Sequence, residues 1–96
     1  MPQFIIHAND CTDAEAQQRR LNARPFHLQR MKEEKSKAIF ILGGALLNEE
    51  NKMIGSVIIV ALPDVRSVES WIQQDPYVIN QVWNDITIKP FRIADV

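Results

Sequence analysis

The chain is short of the residues that staple, anchor or charge a protein for a particular task. Cys11 is its only cysteine, so no internal disulfide can close and no cysteine-based zinc site can form. Histidine occurs twice, as His7 and His27, and nothing in the spacing of histidines and carboxylates suggests a metal site. No apolar run approaches the ~20 residues that a membrane helix needs. Met1-Pro2-Gln3-Phe4 lacks the basic start and apolar stretch of a signal peptide. These absences predict a cytoplasmic protein that does not enter membranes. An excess of one charge is also missing. Eleven basic residues against 12 acidic ones leave a net charge of -1, without the footprint of a nucleic-acid binder. Gly43-Gly44 has neither the spacing nor the following lysine of a phosphate loop. There is no internal repeat, low-complexity tract or linker.

What is present suits one small globular domain spanning residues 1–96, with 46% hydrophobic and 24% charged residues. Phe4-Ile5-Ile6-His7-Ala8 reads as a first strand, followed by a turn in which Thr12 or Asp13 caps a helix. Residues 14–35 are rich in helix formers. Pro25 interrupts them, so a kink or restart is expected there, which would put Arg24 and His27 near a helix's positive end. Leu21, Pro25, Leu28 and Met31 form a stripe expected to face a sheet, with Ala23, His27 and Met31 along its edge. Lys32-Glu33-Glu34-Lys35 reads as a solvated last turn. Ala38 to Leu42 is a second strand, and Gly43-Gly44 predicts a bulge or a close backbone approach. After a polar turn at 48–52, Met53 to Leu62 returns as a third strand. Asp64 or Ser67 caps a helix with Val65, Val68, Trp71 and Ile72 on one face. Asp75 caps a short turn opened by Pro76. The last strand lies in 85–96, with a bulge expected at Pro90 where the apolar register flips.

This order is β-α-β-β-α-β, an α+β class, ferredoxin-like arrangement: a four-stranded antiparallel sheet with helices on one face. Strands that face water on one side should alternate apolar and polar residues. Ile39 to Leu42 and Val57 to Leu62 are instead apolar at consecutive positions. A second copy of the chain is therefore expected on the open face, giving a homodimeric α+β barrel.

The residues able to carry chemistry each admit two readings. His27 suits general acid–base work if a carboxylate such as Asp75 fixes its tautomer; otherwise it is a helix residue and Asp75 a cap. Arg24, one turn before His27, either binds an anionic substrate group or pairs with an acidic neighbour. Ser56 bonds a ligand or is a satisfied strand serine. Tyr77 holds a ligand hydroxyl or finds a backbone partner. His7 and Asp10 either join the same pocket or stand at the sheet's mouth without consequence.

Taken together, the first strand leading to Asp10, Arg24-Pro25-Phe26-His27-Leu28, Gly43-Gly44, Gly55-Ser56, Asp75-Pro76-Tyr77 and Lys89-Pro90-Phe91 resemble the YciI-like family of small dimeric α+β barrel proteins. The resemblance runs in order across nearly the whole chain. It implies a pocket between sheet and helices with His27 and Asp75 as catalytic pair, and with Arg24, Ser56, Tyr77 and Gly44 around the substrate. Some members of that family are linked to dehydrochlorination of chlorinated hydroquinones. The wider superfamily includes muconolactone isomerases and cofactor-free monooxygenases. This chain departs from many relatives in having Gly43-Gly44 in place of Gly-Pro, and in a shorter, more charged tip at Asn48 to Lys52. The expected function is lyase or isomerase chemistry on a small ring compound, using no cofactor and no metal. The alternatives are a dimeric small-ligand-binding protein and a cofactor-free monooxygenase.

Overall fold

A computed structural model describes residues 1–96. The elements are β1 (Gln3–Asp10), α1 (Ala16–Ser36), β2 (Phe40–Leu47), β3 (Met53–Ala61), α2 (Val65–Ile72), α3 (Pro76–Ile79) and β4 (Trp83–Phe91). The four strands form one antiparallel sheet in the order β2-β3-β1-β4, so the ferredoxin-like arrangement expected from the strand and helix order is the one found. The helices cover one face. Phe4, Ile6 and Ala8 from β1 and Ile58 and Val60 from β3 point into that layer, where they meet Met31, Val68, Ile72, Tyr77 and Trp83. Burying each large side chain contributes about 1.5–3 kcal/mol. The opposite face carries Ile5, His7, Leu42, Leu46, Val57, Ile59, Thr87 and Lys89, placed there by strand alternation and register.

Helix α1 departs most from expectation. It starts at Ala16, and neither Thr12 nor Asp13 is its N-cap. Asp13 is instead clasped by Arg19 at 2.6 and 2.8 Å and accepts the Glu15 N–H at 3.3 Å. The helix neither ends nor restarts at Pro25. Proline leaves the Leu21 carbonyl without its helical donor, but Leu21 and Pro25 are both exposed and water can supply one. His27 is therefore mid-helix, not at a positive end. The stripe facing the sheet is also a different one. Leu21, Phe26 and Leu28 are exposed, whereas Ala16, Arg20, Ala23, His27, Met31 and Glu34 are buried. The expected edge row is the sheet-facing row. Its polar members are tolerated because each finds partners inside, as described below. Glu34 thus leaves the supposed solvated run: it accepts the Trp71 indole N–H at 2.6 Å and pairs with Lys37 at 2.9 Å.

The irregularities of the sheet are displaced from the positions expected. Gly43 and Gly44 pair in register with Ile58 and Val57; the two shifts lie between Phe40 and Leu42 and between Leu46 and Leu47. The close approach is real at Gly43, where a Cβ would stand 2.8 Å from the Val57 carbonyl oxygen and 3.1 Å from the Phe40 ring. In β4, Pro90 pairs regularly with Phe4 on an edge strand, where a missing N–H can face outward. The register shift sits at the strand's other end, opposite Asn9 and Asp10. Helix α2 has the Asp64 cap, with Oδ1 accepting the Ser67 N–H at 2.8 Å. It buries Val68, Trp71 and Ile72 but leaves Val65 exposed. Helix α3 begins as expected, with Asp75 capping and Pro76 in the first turn.

Candidate functional site

Between α1 and the β2–β3 half of the sheet lies a cleft of about 310 Å³. Arg20, Arg24, His27, Gly44, Ser56 and Tyr77 are among the residues lining it. Arg24, His27, Gly44, Ser56 and Tyr77, expected from the sequence, reach this cleft, and Asp75 stands directly behind His27. Asp10 does not line the cleft but pairs with Arg20, which does, and His7 lies on the opposite face of the sheet and takes no part.

Asp75 is wholly buried at the start of α3. His27 donates from Nδ1 to its Oδ1 at 2.8 Å, with Oδ2 at 3.0 Å. The same carboxylate accepts the Tyr77 N–H at 2.9 Å and an Arg30 guanidinium N–H at 3.0 Å. Asp75 is therefore cap and histidine partner at once. A carboxylate on Nδ1 fixes the imidazole tautomer with the proton there and leaves Nε2 as the nitrogen able to accept another. The His27 ring stacks on Tyr77 with centroids 4.1 Å apart and meets Trp83 edge-on at 6.2 Å. Its orientation is held on three sides.

Arg20 organises the inner end of the cleft and was not singled out from the sequence. It is 1% exposed. Nε and Nη2 pair with Asp10 at 2.7 and 3.3 Å, and Nη2 also donates to the Gly55 carbonyl at 2.7 Å and to Ser56 Oγ at 2.6 Å. Nη1 donates to the Tyr77 hydroxyl at 3.2 Å. Ser56 Oγ accepts a further bond from the Trp83 indole at 3.2 Å. Burial pushes the Tyr77 hydroxyl above its ordinary pKa, against the nearby charges of Arg20 and Arg24. Arg30, which joins Asp75 to the Trp71 carbonyl and lies over the Trp71 ring, was likewise missed. Helical spacing carried the signal for Arg20, since it lies seven residues before His27 and shares its face.

The outer cleft is cationic. Arg24, Lys32 and Lys35 line it, none is engaged in an ion pair, and no carboxylate is among the lining residues. The arrangement can accept a proton at His27, donate hydrogen bonds from Ser56 and Tyr77, and attract negative charge at its rim.

The sequence profile of the YCII-related domain matches residues 2–92. Protein YciI of Escherichia coli O6:H1 is 25% identical over 95 residues, covering 93% of this chain and 95% of its own length. An uncharacterized protein of Haemophilus influenzae is 28% identical over the same shares. Among solved structures, 5-chloro-2-hydroxyhydroquinone dehydrochlorinase from Burkholderia phenoliruptrix, in complex with 2,5-dihydroxybenzoquinone, has a TM-score of 0.81 at 20% identity, covering 96% of this chain and 95% of that one. An antibiotic biosynthesis monooxygenase has a TM-score of 0.56 at 13% identity, covering 99% and 100%. At such identities the two structures speak for the fold alone.

Proposed function

The chain belongs to the YCII-related family, and from that premise we propose that it is a small cofactor-independent enzyme of lyase or isomerase type, with His27 as general base and Asp75 orienting it. The observation that carries this is the 2.8 Å bond from His27 Nδ1 to a wholly buried carboxylate beside a cleft. A small ring compound bearing a negative charge would enter past Arg24, Lys32 and Lys35. Ser56, Tyr77 and the backbone at Gly44 would orient it. His27 Nε2 would then take a proton from one atom of the ring and return it to another or to a leaving group.

Residues 1–96 act as one cytoplasmic unit in this proposal, and the unit is a homodimer. The support for a dimer is the uncovered sheet face, where Ile5, Leu42, Leu46 and Val57 gather apolar surface. No helix is long and apolar enough to cross a membrane. Sedimentation of Leu42→Lys against wild type tests the dimer: the variant is expected to sediment as a monomer, and an unchanged mass would refute that face as the interface.

Hydroxylated and chlorinated ring compounds, chosen because a protein of the same fold is a dehydrochlorinase, form the first substrate panel. A positioned general base contributes about a hundred- to ten-thousand-fold. His27→Gln should therefore lose that much in kcat/KM. Equal turnover by wild type and variant would rule out His27 as the base.

A further inference from the structure

Two hydroxyl groups in the cleft have protons with nowhere in the protein to go. A hydroxyl oxygen offers one proton and two lone pairs. Ser56 Oγ uses its lone pairs to accept from Arg20 Nη2 at 2.6 Å and Trp83 Nε1 at 3.2 Å. Guanidinium and indole N–H groups are donors only, so neither can receive the serine proton. Tyr77 Oη accepts from Arg20 Nη1 at 3.2 Å and likewise donates to no protein atom. Both residues are buried and both line the cleft.

We propose that Ser56 and Tyr77 form a paired oxyanion site, set by the guanidinium of Arg20, that receives the deprotonated oxygen of a ring compound, a phenolate or enolate. The proposal rests on taking this cleft as the substrate site. Arg20 is a positioning residue in it. Asp10 and the Gly55 carbonyl lock its plane, so the two hydroxyls sit on the two prongs of one rigid fork and their spacing is fixed. The guanidinium charge polarises both O–H bonds away from itself and towards the cleft. Burial raises the Tyr77 pKa, which keeps its proton available as a donor at neutral pH. An anionic acceptor gains most from such donors, since hydrogen bonds to a charged oxygen are roughly twice as strong as neutral ones. Unpaired Arg24, Lys32 and Lys35 favour the same sign of charge.

The test reads binding, not turnover, with para-nitrophenolate and its uncharged methyl ether, para-nitroanisole, as probes. Wild type should bind the phenolate at least about tenfold more tightly than the ether. Tyr77→Phe keeps the stacked ring and removes only the hydroxyl. Both it and Ser56→Ala should weaken phenolate binding about tenfold and leave ether binding unchanged. Arg20→Lys breaks the fork and should lower the phenolate-to-ether ratio as the hydroxyl deletions do; if that variant does not fold, the other two decide. His27→Gln should preserve the ratio. A preserved ratio alongside turnover indifferent to His27 would sink the acid–base mechanism and leave the oxyanion site standing. The oxyanion site is overturned if wild type binds both probes equally, if it binds neither at millimolar concentration, or if the hydroxyl deletions leave the ratio unchanged.

Discussion

Replacing Asp75 by asparagine probes the junction between fold and site. In the native protein Oδ1 serves the His27 ring and the Tyr77 N–H, while Oδ2 serves Arg30. Asparagine can keep an oxygen at the first position and thus retain the helix cap. Its amide nitrogen must then face the Arg30 guanidinium, donor against donor. The lost charged hydrogen bond is worth about 1.5–3 kcal/mol. Leaving a buried cation unpaired approaches 3–5 kcal/mol. Arg30 retains 15% side-chain exposure, which screens its charge, so about 3 kcal/mol is expected in all. That is a large share of the ~5–15 kcal/mol that holds a domain of this size together. It corresponds to a fall in Tm of about 12–24 °C at roughly 4–8 °C per kcal/mol. Arg30→Met alone should cost about 2 kcal/mol, since it also gives up the Trp71 carbonyl and the face of the Trp71 ring. The double variant should recover about 2 kcal/mol of the summed loss, because no cation then remains unpaired. Urea melts followed by circular dichroism at one protein concentration measure all four corners of this cycle. A loss for Asp75→Asn below ~0.5 kcal/mol, or single losses that add within ~0.5 kcal/mol, would show that Asp75 does not join α1 to α3 as described.

Glu34 gives a pH signature. Burial works against its carboxylate, but hydrogen bonds from Lys37 and Trp71 and the charges of Lys37 and Arg30 outweigh it and lower the pKa. A lowered folded-state pKa stabilises above the ordinary value of 4.5 and is lost as pH falls through the folded value. Glu34→Gln should thus be less stable than wild type at neutral pH, with the gap closing in acid; a gap independent of pH would contradict this. Tyr77 is the chain's only tyrosine, so tyrosinate absorbance reports it alone. Its pKa is raised by burial, so the native protein should titrate above 10.0, and stability should fall as pH rises through that point. A native midpoint at or below that of the urea-unfolded chain would refute the buried placement. Gly43→Ala should cost about 1–3 kcal/mol in a urea melt, because the new methyl would press on the Val57 carbonyl oxygen. Gly44→Ala meets nothing within 4 Å and should stay within ~0.5 kcal/mol; equal losses at the two glycines would refute the close approach at Gly43.

The strands were legible because their residues announce them: β-branched and aromatic runs at Phe4-Ile5-Ile6 and Val57-Ile58-Ile59-Val60 are bounded by polar turns. The caps at Asp64 and Asp75 were legible for the same local reason. Bulge positions were not, since a register shift depends on two strands at once. The glycines and Pro90 drew attention to positions where pairing is in fact regular. His27, Asp75, Ser56 and Tyr77 were reachable through motif order, and the structure brings them together. Arg20 and Arg30 were hidden because an arginine on a helix surface reads as solvated unless its buried partners are known. The face of α1 was misjudged because Leu21 and Leu28 look like core while Arg20, His27 and Glu34 do not.

That misjudgement has a single physical source. Arg20, His27 and Glu34 are spaced seven residues apart, so they fall on one line along α1. Each is fastened to a different part of the molecule: Arg20 to Asp10, Gly55, Ser56 and Tyr77, His27 to the cap of α3, and Glu34 to Trp71 of α2. Directional bonds along this line, with Ala23 and Met31 packed between them, set the helix's rotation and height on the sheet. Leucines at the same positions would bury more apolar surface but would allow the helix to slide. Two of the three fastenings also line the cleft, which ties the accuracy of the site to the way the helix is docked. A binary apolar pattern is the rule that such a design breaks, and it breaks it where hydrogen-bonding precision outweighs burial.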